Sequence, residues 1–306
     1  MSAAAVPAGV AQPAGPVEPI RRARRRSLRS FILPTYSWLV LIYLMFPIFV
    51  MIAFSFNNVP GRVNAKWYGF TLLYWRHPFL LPDLTASLGL SVKIAILATV
   101  ITAPMGALLG LALGRYRFRG EGAVNFLLFL NIAAPEIVLG TGLLTMFASM
   151  KFSLGFWSIL LAHIMFCIAF VAVTVRARVV GLNMSLEEAA SDLGADALTT
   201  FRLVTLPLIM PAVVAGALLS FALSVDDFII TDFVRGPSIT FPLYVSGATK
   251  TGIPPQVNVI GTILFLVGVF FAIVSAILPT LKGRREAKAI RKDRDAVPDA
   301  IGIPMR

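Results

Sequence analysis

Residues Ser185 to Pro207 have the sequence SLEEAASDLGADALTTFRLVTLP, a polar stretch between two long apolar runs. Ser185 and Glu188 have the spacing of a capping box, in which each side chain satisfies a backbone N–H of the first helical turn. Glu187 and Glu188 also suit the positive start of a helix. Gly194 lies where a helix-ending residue of positive φ is favoured. The stretch therefore predicts a short, capped surface helix.

One small apolar face runs along this predicted helix, with side chains that recur at three- and four-residue steps: Leu186, Ala189, Ala190 and Leu193. At the far end of the stretch, Pro207 suits the first turn of a new helix, where no N–H is needed, and Thr205 is available to cap it. We therefore expect the surface helix to lead into a membrane-spanning one.

The composition is that of a polytopic membrane protein. Of the 306 residues, 58% are hydrophobic and only 14% are charged, and the mean hydropathy of +0.83 lies far outside the range of soluble domains. The single cysteine, Cys167, excludes an intrachain disulfide and a cysteine-based metal site. The sequence contains no HExxH, GxSxG or phosphate-loop pattern, so we predict no catalytic, cofactor-binding or metal-binding residue.

Six apolar stretches are long enough to cross a bilayer as helices, at residues 33–56, 88–113, 124–148, 156–175, 208–230 and 259–281. With the N-terminus inside, the cytoplasmic segments hold twenty Lys and Arg residues and the outer loops hold six. This bias follows the positive-inside rule and places both termini in the cytoplasm. It also explains the net charge of +12 without a nucleic-acid partner. The predicted fold class is an all-α membrane protein with six transmembrane helices.

We predict three parts along the chain. Residues 1–30 form a disordered basic tail, residues 31–281 form the transmembrane domain with the loop 181–207, and residues 282–306 form a basic cytoplasmic tail. Within the domain, Gly106, Gly110 and Gly114 recur every four residues in one span. This small-residue stripe predicts close packing against another helix.

Three acidic residues lie within the predicted spans. Glu136 follows Pro135 near the middle of the third span, and Asp226 and Asp227 lie in the outer half of the fifth. Facing lipid, each would cost about 2.5 to 3.5 kcal/mol, so we expect them to face protein or a water-filled path. Adjacent carboxylates point in different directions, so at most one of the two aspartates lines such a path. The alternatives are that an aspartate caps a helix break or pairs with Arg235, and that Glu136 satisfies a kinked backbone.

The polar stretch resembles the EAA loop of the membrane subunits of binding-protein-dependent ABC importers. Glu188-Ala189-Ala190, Gly194, Val204 and Leu206-Pro207 match the family pattern EAA-x3-G-x9-I-x-LP, with valine in place of isoleucine. The resemblance implies a type I importer fold in which this loop is the cytoplasmic coupling helix that docks on a separate ATPase. It implies these coupling residues: Glu187, Glu188, Ala189, Ala190, Leu193, Gly194, Leu206 and Pro207. The alternative is an ordinary amphipathic connector.

Other segments resemble the second permease subunit of spermidine/putrescine importers, namely RYRFRG at 115–120, APEIVLG at 134–140, LSFALSVDDFIITDFVRGP at 219–237 and PPQVN at 254–258. This resemblance implies a non-catalytic transport subunit in the bacterial cytoplasmic (inner) membrane, surrounded by lipid and working by alternating access. The implied partners are a paralogous six-helix permease, two ABC ATPases that bind ATP and Mg, and an extracytoplasmic solute-binding protein.

A polyamine is a cation, so Glu136, Asp226 and Asp227 are candidates for its pathway. Three alternatives remain open. The same machinery would serve another organic cation or a metal complex, a channel would conduct without an ATPase, and a membrane enzyme would need a catalytic constellation that we do not find.

Overall fold

The computed structural model describes residues 29–61, 63–183 and 185–274. Nearly all of both predicted basic tails therefore lies outside the described residues, as does the end of the last predicted span. The chain divides into two units at Phe49. Described residues of the first unit belong to the first helix, and every later helix belongs to the second unit. Outside the helices, the described chain forms turns, loops and one isolated β-bridge between Asn57 and Phe70.

The described helices are, in chain order, α1 Arg29–Phe54, α2 Leu73–Arg76, α3 Pro82–Arg115, α4 Glu121–Ala133, α5 Glu136–Ser149, α6 Phe156–Val180, α7 Ser185–Asp192, α8 Ala197–Thr200, α9 Leu206–Asp226, α10 Ile229–Val234, α11 Phe241–Thr251 and α12 Pro255–Val274. Five segments are long and apolar enough to cross a membrane: α1, α3, α6, α12 and the run from α8 through α9. These five correspond to five of the predicted spans.

The third predicted span is broken into two helices. α4 and α5 are bent by 110° at a break between them. Pro135 lacks an N–H and disfavours a helical backbone at Ala134, which is extended at φ −68° and ψ 138°. The expectation of a single helix over 124–148 is thus corrected. Glu136 is the first residue of α5, beside the break, and does not lie in the middle of a helix.

The predicted glycine stripe packs α3 against α6. A Cβ on Gly106 would lie 2.6 Å from the Cβ of Val171, and one on Gly114 would lie 2.8 Å from Cγ1 of Val179. Between them, a Cβ on Gly110 would lie 2.5 Å from a backbone oxygen of α6. Only glycine permits so close an approach. Because the contacts advance in the same direction along both helices, α3 and α6 are parallel.

This parallel pair shows that α4 and α5 together make one crossing. The last turn of α3 and the segment just after α6 lie at the same end of the bundle, since Arg115 forms an ion pair with Glu187. The chain between α3 and α6 must therefore return to the opposite end before α6 begins. α4 and α5 make that return as one broken span, which brings the number of spans to six.

α9 runs antiparallel to α6 and also contacts α3, since the hydroxyls of Thr102 and Ser220 lie 2.9 Å apart. Ile209, near the start of α9, packs in one cluster with Val179 near the end of α6. Further along, a Cβ on Gly216 would lie 3.2 Å from Val171. α3, α6 and α9 thus form the packed centre of the second unit.

Substitution of Gly110 tests the packing of α3 on α6. Gly110→Ala is expected to destabilise the protein by about 1 to 3 kcal/mol, because the added carbon meets backbone of α6 that cannot move aside locally. Thermal unfolding of the purified protein in detergent, followed by tryptophan fluorescence, measures the effect. Gly142→Ala is the matched control, since a Cβ there meets nothing within 4 Å. Equal midpoints for the two variants would contradict the close contact.

Candidate functional site

α7 ends at Asp192, and Gly194, the predicted helix-ending residue, follows with a φ of +84°. The Gly194 amide donates to the Ser191 carbonyl at 2.9 Å, and the Ala195 amide donates to the Ala190 carbonyl at 3.0 Å. These two hydrogen bonds form a Schellman motif, which satisfies carbonyls at the end of the helix. A side chain disfavours this left-handed backbone, so Gly194 determines where α7 ends.

The predicted apolar face of α7 remains uncovered by the described chain. Leu193 is 90% exposed and Leu186 is 49% exposed. Glu188 and Ala189 are also exposed, and Ala190 is half-buried. Large apolar side chains exposed beside acidic ones are typical of a surface that binds another protein. The exposed surface of α7 is therefore a candidate docking surface.

The start of α7 differs from the predicted capping box. The helix begins at Ser185 itself, and its amide donates to Oδ1 of Asn183 at 3.1 Å. In a capping box, this amide would have bonded to the side chain of Glu188. Glu188 instead points into solvent, which leaves its carboxylate available to a partner.

Glu187, next to it, turns toward the bundle. It forms an ion pair with Arg115 at the end of α3, and the two side chains are 14% and 17% exposed respectively. Its Oε1 atom also accepts a hydrogen bond from the Thr205 hydroxyl at 2.6 Å. Sequence reasoning placed Glu187 among the coupling residues but missed both partners. Arg115 was interpreted only as part of the positive charge at a cytoplasmic helix end.

The helix through Pro207 is continuous and does not begin there. α8 runs through a π-helical stretch, Phe201–Thr205, directly into α9. Thr205 has helical dihedral angles, so it is not the predicted cap. Instead, the Leu206 amide donates to the carbonyl of Phe201, five residues back. This wider turn accommodates Pro207, whose ring would clash with the preceding turn of a regular α-helix.

Asp196 is the residue that caps α8. Its Oδ1 atom accepts a hydrogen bond from the Thr199 amide at 3.2 Å. Hydrogen bonds from the side chain and backbone of Thr199 hold the pKa of the Asp196 carboxyl below its usual value. The carboxyl is therefore ionised at neutral pH, which suits its position at the positive end of a helix.

The three predicted membrane acids lie in one region but in two environments. The side chain of Asp227 is 2% exposed, whereas Glu136 and Asp226 are exposed. Glu136 begins α5, which packs against α10 just after the two aspartates, since a Cβ on Gly140 would lie 2.5 Å from Phe233. The region therefore presents two accessible carboxylates. In the part of the chain that the structure describes, no three His, Cys, Asp or Glu side chains are arranged to hold a metal ion.

Asp227 stabilises the helix break after α9. Its Oδ2 atom accepts hydrogen bonds from the Thr231 amide at 2.8 Å and from the Thr231 hydroxyl at 2.6 Å. The same oxygen lies 3.3 Å from Nε2 of His163. Asp227 therefore caps the first turn of α10, one of the two predicted alternatives. Its basic neighbour is His163. The predicted alternative, Arg235, pairs instead with Asp232 at 3.0 Å.

Known sequences match most of the chain. The family described as binding-protein-dependent transport system inner membrane component matches residues 106–285. The spermidine/putrescine transport system permease protein PotC of Haemophilus influenzae is 39% identical over 251 residues, which are 82% of this chain and 97% of that protein. PotC of Escherichia coli (strain K12) is 42% identical over 241 residues, 77% of this chain and 89% of that one. The putrescine transport system permease protein PotI of the same strain is 35% identical over 259 residues, 81% and 90% of the two chains.

Solved structures share the fold. A bacterial ABC transporter involved in the import of the acidic polysaccharide alginate has a TM-score of 0.58 at 18% identity, over 83% of this chain and 98% of that one. An amino acid ABC transporter has a TM-score of 0.51 at 17% identity, over 68% and 98%. The fold is thus that of an ABC importer permease, and the matching sequences are transport subunits rather than enzymes. This chain belongs to the family of binding-protein-dependent transport system inner membrane components, which makes it a multi-pass protein of the inner membrane.

Proposed function

We propose that this chain is the permease subunit of an ATP-driven importer that carries polyamines, such as spermidine and putrescine, across the inner membrane by alternating access. The PotC relatives, one of which is matched over 97% of its length, support the transport role and the substrate class. The observation that carries the mechanism is the uncovered surface of α7, with Leu193 90% exposed.

The end of the bundle that carries α7 is the cytoplasmic end in this proposal. The charge distribution supports an orientation with both termini and α7 in the cytoplasm, since that side would hold twenty Lys and Arg residues and the other six. Two cytoplasmic ATPases, which bind ATP and Mg, a paralogous permease and an extracytoplasmic solute-binding protein complete the assembly. One structural relative, an alginate ABC transporter, was solved in complex with a periplasmic protein, which supports the last of these partners.

The coupling residues fall into two groups. Glu188, Ala189 and Leu193 are exposed on α7 and form the docking surface for an ATPase. The others keep α7 in place relative to the membrane helices: Glu187 through its bonds to the bundle, Ala190 and Gly194 through the Schellman motif, and Leu206 and Pro207 through the start of α9. ATP-driven movement of α7 then changes which side of the bundle is open.

Glu136 and Asp226 form the pathway site for the cationic solute. Both are exposed, and they lie at the two helix breaks, at the start of α5 and the end of α9. Fixed negative charge in a low-dielectric path attracts a polycation. Two accessible carboxylates attract it without trapping it, as conduction requires. Asp227 is buried beside this site and stabilises the helix break through its hydrogen bonds to Thr231.

Uptake into vesicles that contain the reconstituted complex tests the substrate. Labelled spermidine and putrescine should accumulate only with ATP and the solute-binding protein. Asp226→Asn is expected to raise the KM for uptake roughly tenfold, or about 1.4 kcal/mol, because one attracting charge is removed.

Asp232→Asn is the matched control, since Asp232 is also an exposed aspartate near the helix break and is paired with Arg235. An equal change in both variants would contradict the pathway site. If the intact complex hydrolyses ATP but imports another organic cation or a metal complex, the assignment as an importer would stand and the polyamine substrate would be wrong.

Gly194 tests the role of α7. Gly194→Val should abolish uptake, because a β-branched residue is strained at a φ of +84° and the last turn of α7 is lost. Gly194→Asn should retain most of the uptake, since asparagine tolerates the left-handed region. Immunoblots of washed membranes check that both variants insert equally. Full uptake by Gly194→Val would show that α7 does not transmit the ATPase movement.

A further inference from the structure

We propose that Arg115 is a positioning residue for coupling, because its ion pair with Glu187 transmits movement of α7 to α3 and, through Thr205, to α9. The proposal rests on the proposed role of α7 as the coupling helix. It assigns a function to a residue outside the EAA loop, at the end of a different membrane helix.

The ion pair is shielded and well oriented. Nη1 of Arg115 donates to Oε1 of Glu187, and Nη2 lies against Oε2. This two-point contact fixes direction as well as distance, because the guanidinium fork matches a carboxylate. Arg115 is in the last turn of α3 and Glu187 is in the first turn of α7. Each charge therefore lies at the helix end whose dipole favours it.

Thr205 connects the same carboxylate to α9. Its side chain is buried, at 3% exposure, and its hydroxyl donates to Oε1 of Glu187 at 2.6 Å. Thr205 is the last residue of the π-helical stretch, and such stretches are frequent at functional positions. A single carboxylate thus joins the end of α3, the start of α7 and the start of α9.

Glu187 carries this connection because α7 has little other anchorage. No residue of α7 is buried, and Leu186 and Leu193 point outward. Among the described residues, its pair with Arg115 is the one ion pair between α7 and a membrane helix, and the Thr205 hydroxyl adds a hydrogen bond to the same carboxylate. Arg115 then passes the movement to α3, which is locked onto α6 by the glycine stripe. Without the ion pair, α7 would follow the ATPase while the membrane helices lag behind.

The number of polyamine molecules imported per ATP hydrolysed, measured in the reconstituted complex, tests this link. Arg115→Gln and Glu187→Gln each remove one charge and leave a hydrogen-bonding side chain. Each is expected to lower the ratio roughly tenfold, within the range typical of coupling between sites. ATP hydrolysis should continue and the ATPase should still copurify. The charge-swapped variant Arg115→Glu/Glu187→Arg is expected to recover part of the ratio.

Arg117→Gln is the matched control. Arg117 lies two residues after Arg115, just beyond the end of α3, is exposed, and forms no ion pair within the described residues. An unchanged ratio in Arg115→Gln would overturn the proposal, and so would an equal fall in Arg117→Gln. Loss of the bound ATPase from Arg115→Gln, or no recovery in the swapped variant, would also overturn it, since the pair would then serve docking or folding.

Gly194→Val, measured in the same preparation, separates this proposal from the one on which it rests. Uncoupling by Gly194→Val with a normal ratio in Arg115→Gln would leave α7 as the coupling helix and remove only the ion pair from the mechanism. Normal ratios in both variants would overturn both proposals. Uncoupling in both, with recovery by the charge swap, supports both.

Discussion

The close contact between α3 and α6 is the constraint on which the other features depend. Because Gly106, Gly110 and Gly114 have no side chain, the two helices approach until the backbone of one meets the other. Because the two helices run in the same direction, the chain must cross back through α4 and α5 before α6 begins. The parallel direction also brings the end of α3 beside the segment that follows α6, which places Arg115 within reach of Glu187. A contact in the middle of the bundle thereby determines the geometry at the end that carries α7.

The two helix breaks explain why acidic residues occur within the membrane spans. A break in a span leaves backbone groups without partners, and lipid supplies none. Asp227 satisfies the Thr231 amide at one break, and Glu136 lies at the positive start of α5 beside the other. Asp226 follows from the same break, because the chain leaves α9 there and turns its side chain away from Asp227. Local backbone chemistry thus favours carboxylates at the same places where the proposed pathway needs them to attract a cation.

The sequence predicts the features that depend on neighbouring residues. The six apolar spans, the short helix ending at Gly194 and the glycine stripe follow from periodicity and local conformational preference. Features that join distant segments could not be predicted in this way. Glu187 and Arg115 are separated by 72 positions, so their pairing depends on how α3 and α6 pack. The capping box at Ser185 was wrong because Asn183, two residues earlier, offers a competing acceptor.

Adjacent glutamates in α7 divide two tasks that one residue could not perform. Neighbouring side chains on a helix point about 100° apart. When Glu187 faces the bundle, Glu188 must therefore face away from it, toward the side where an ATPase would dock. A partner docked on Glu188 would therefore move the same helical turn that holds Glu187 against Arg115. The EAA motif contains only the outward-facing glutamate, so the inward contact depends on what each chain places beside it at the end of α3. In this chain, the docking surface and its attachment to the bundle are consequently encoded by separate residues and can be altered separately.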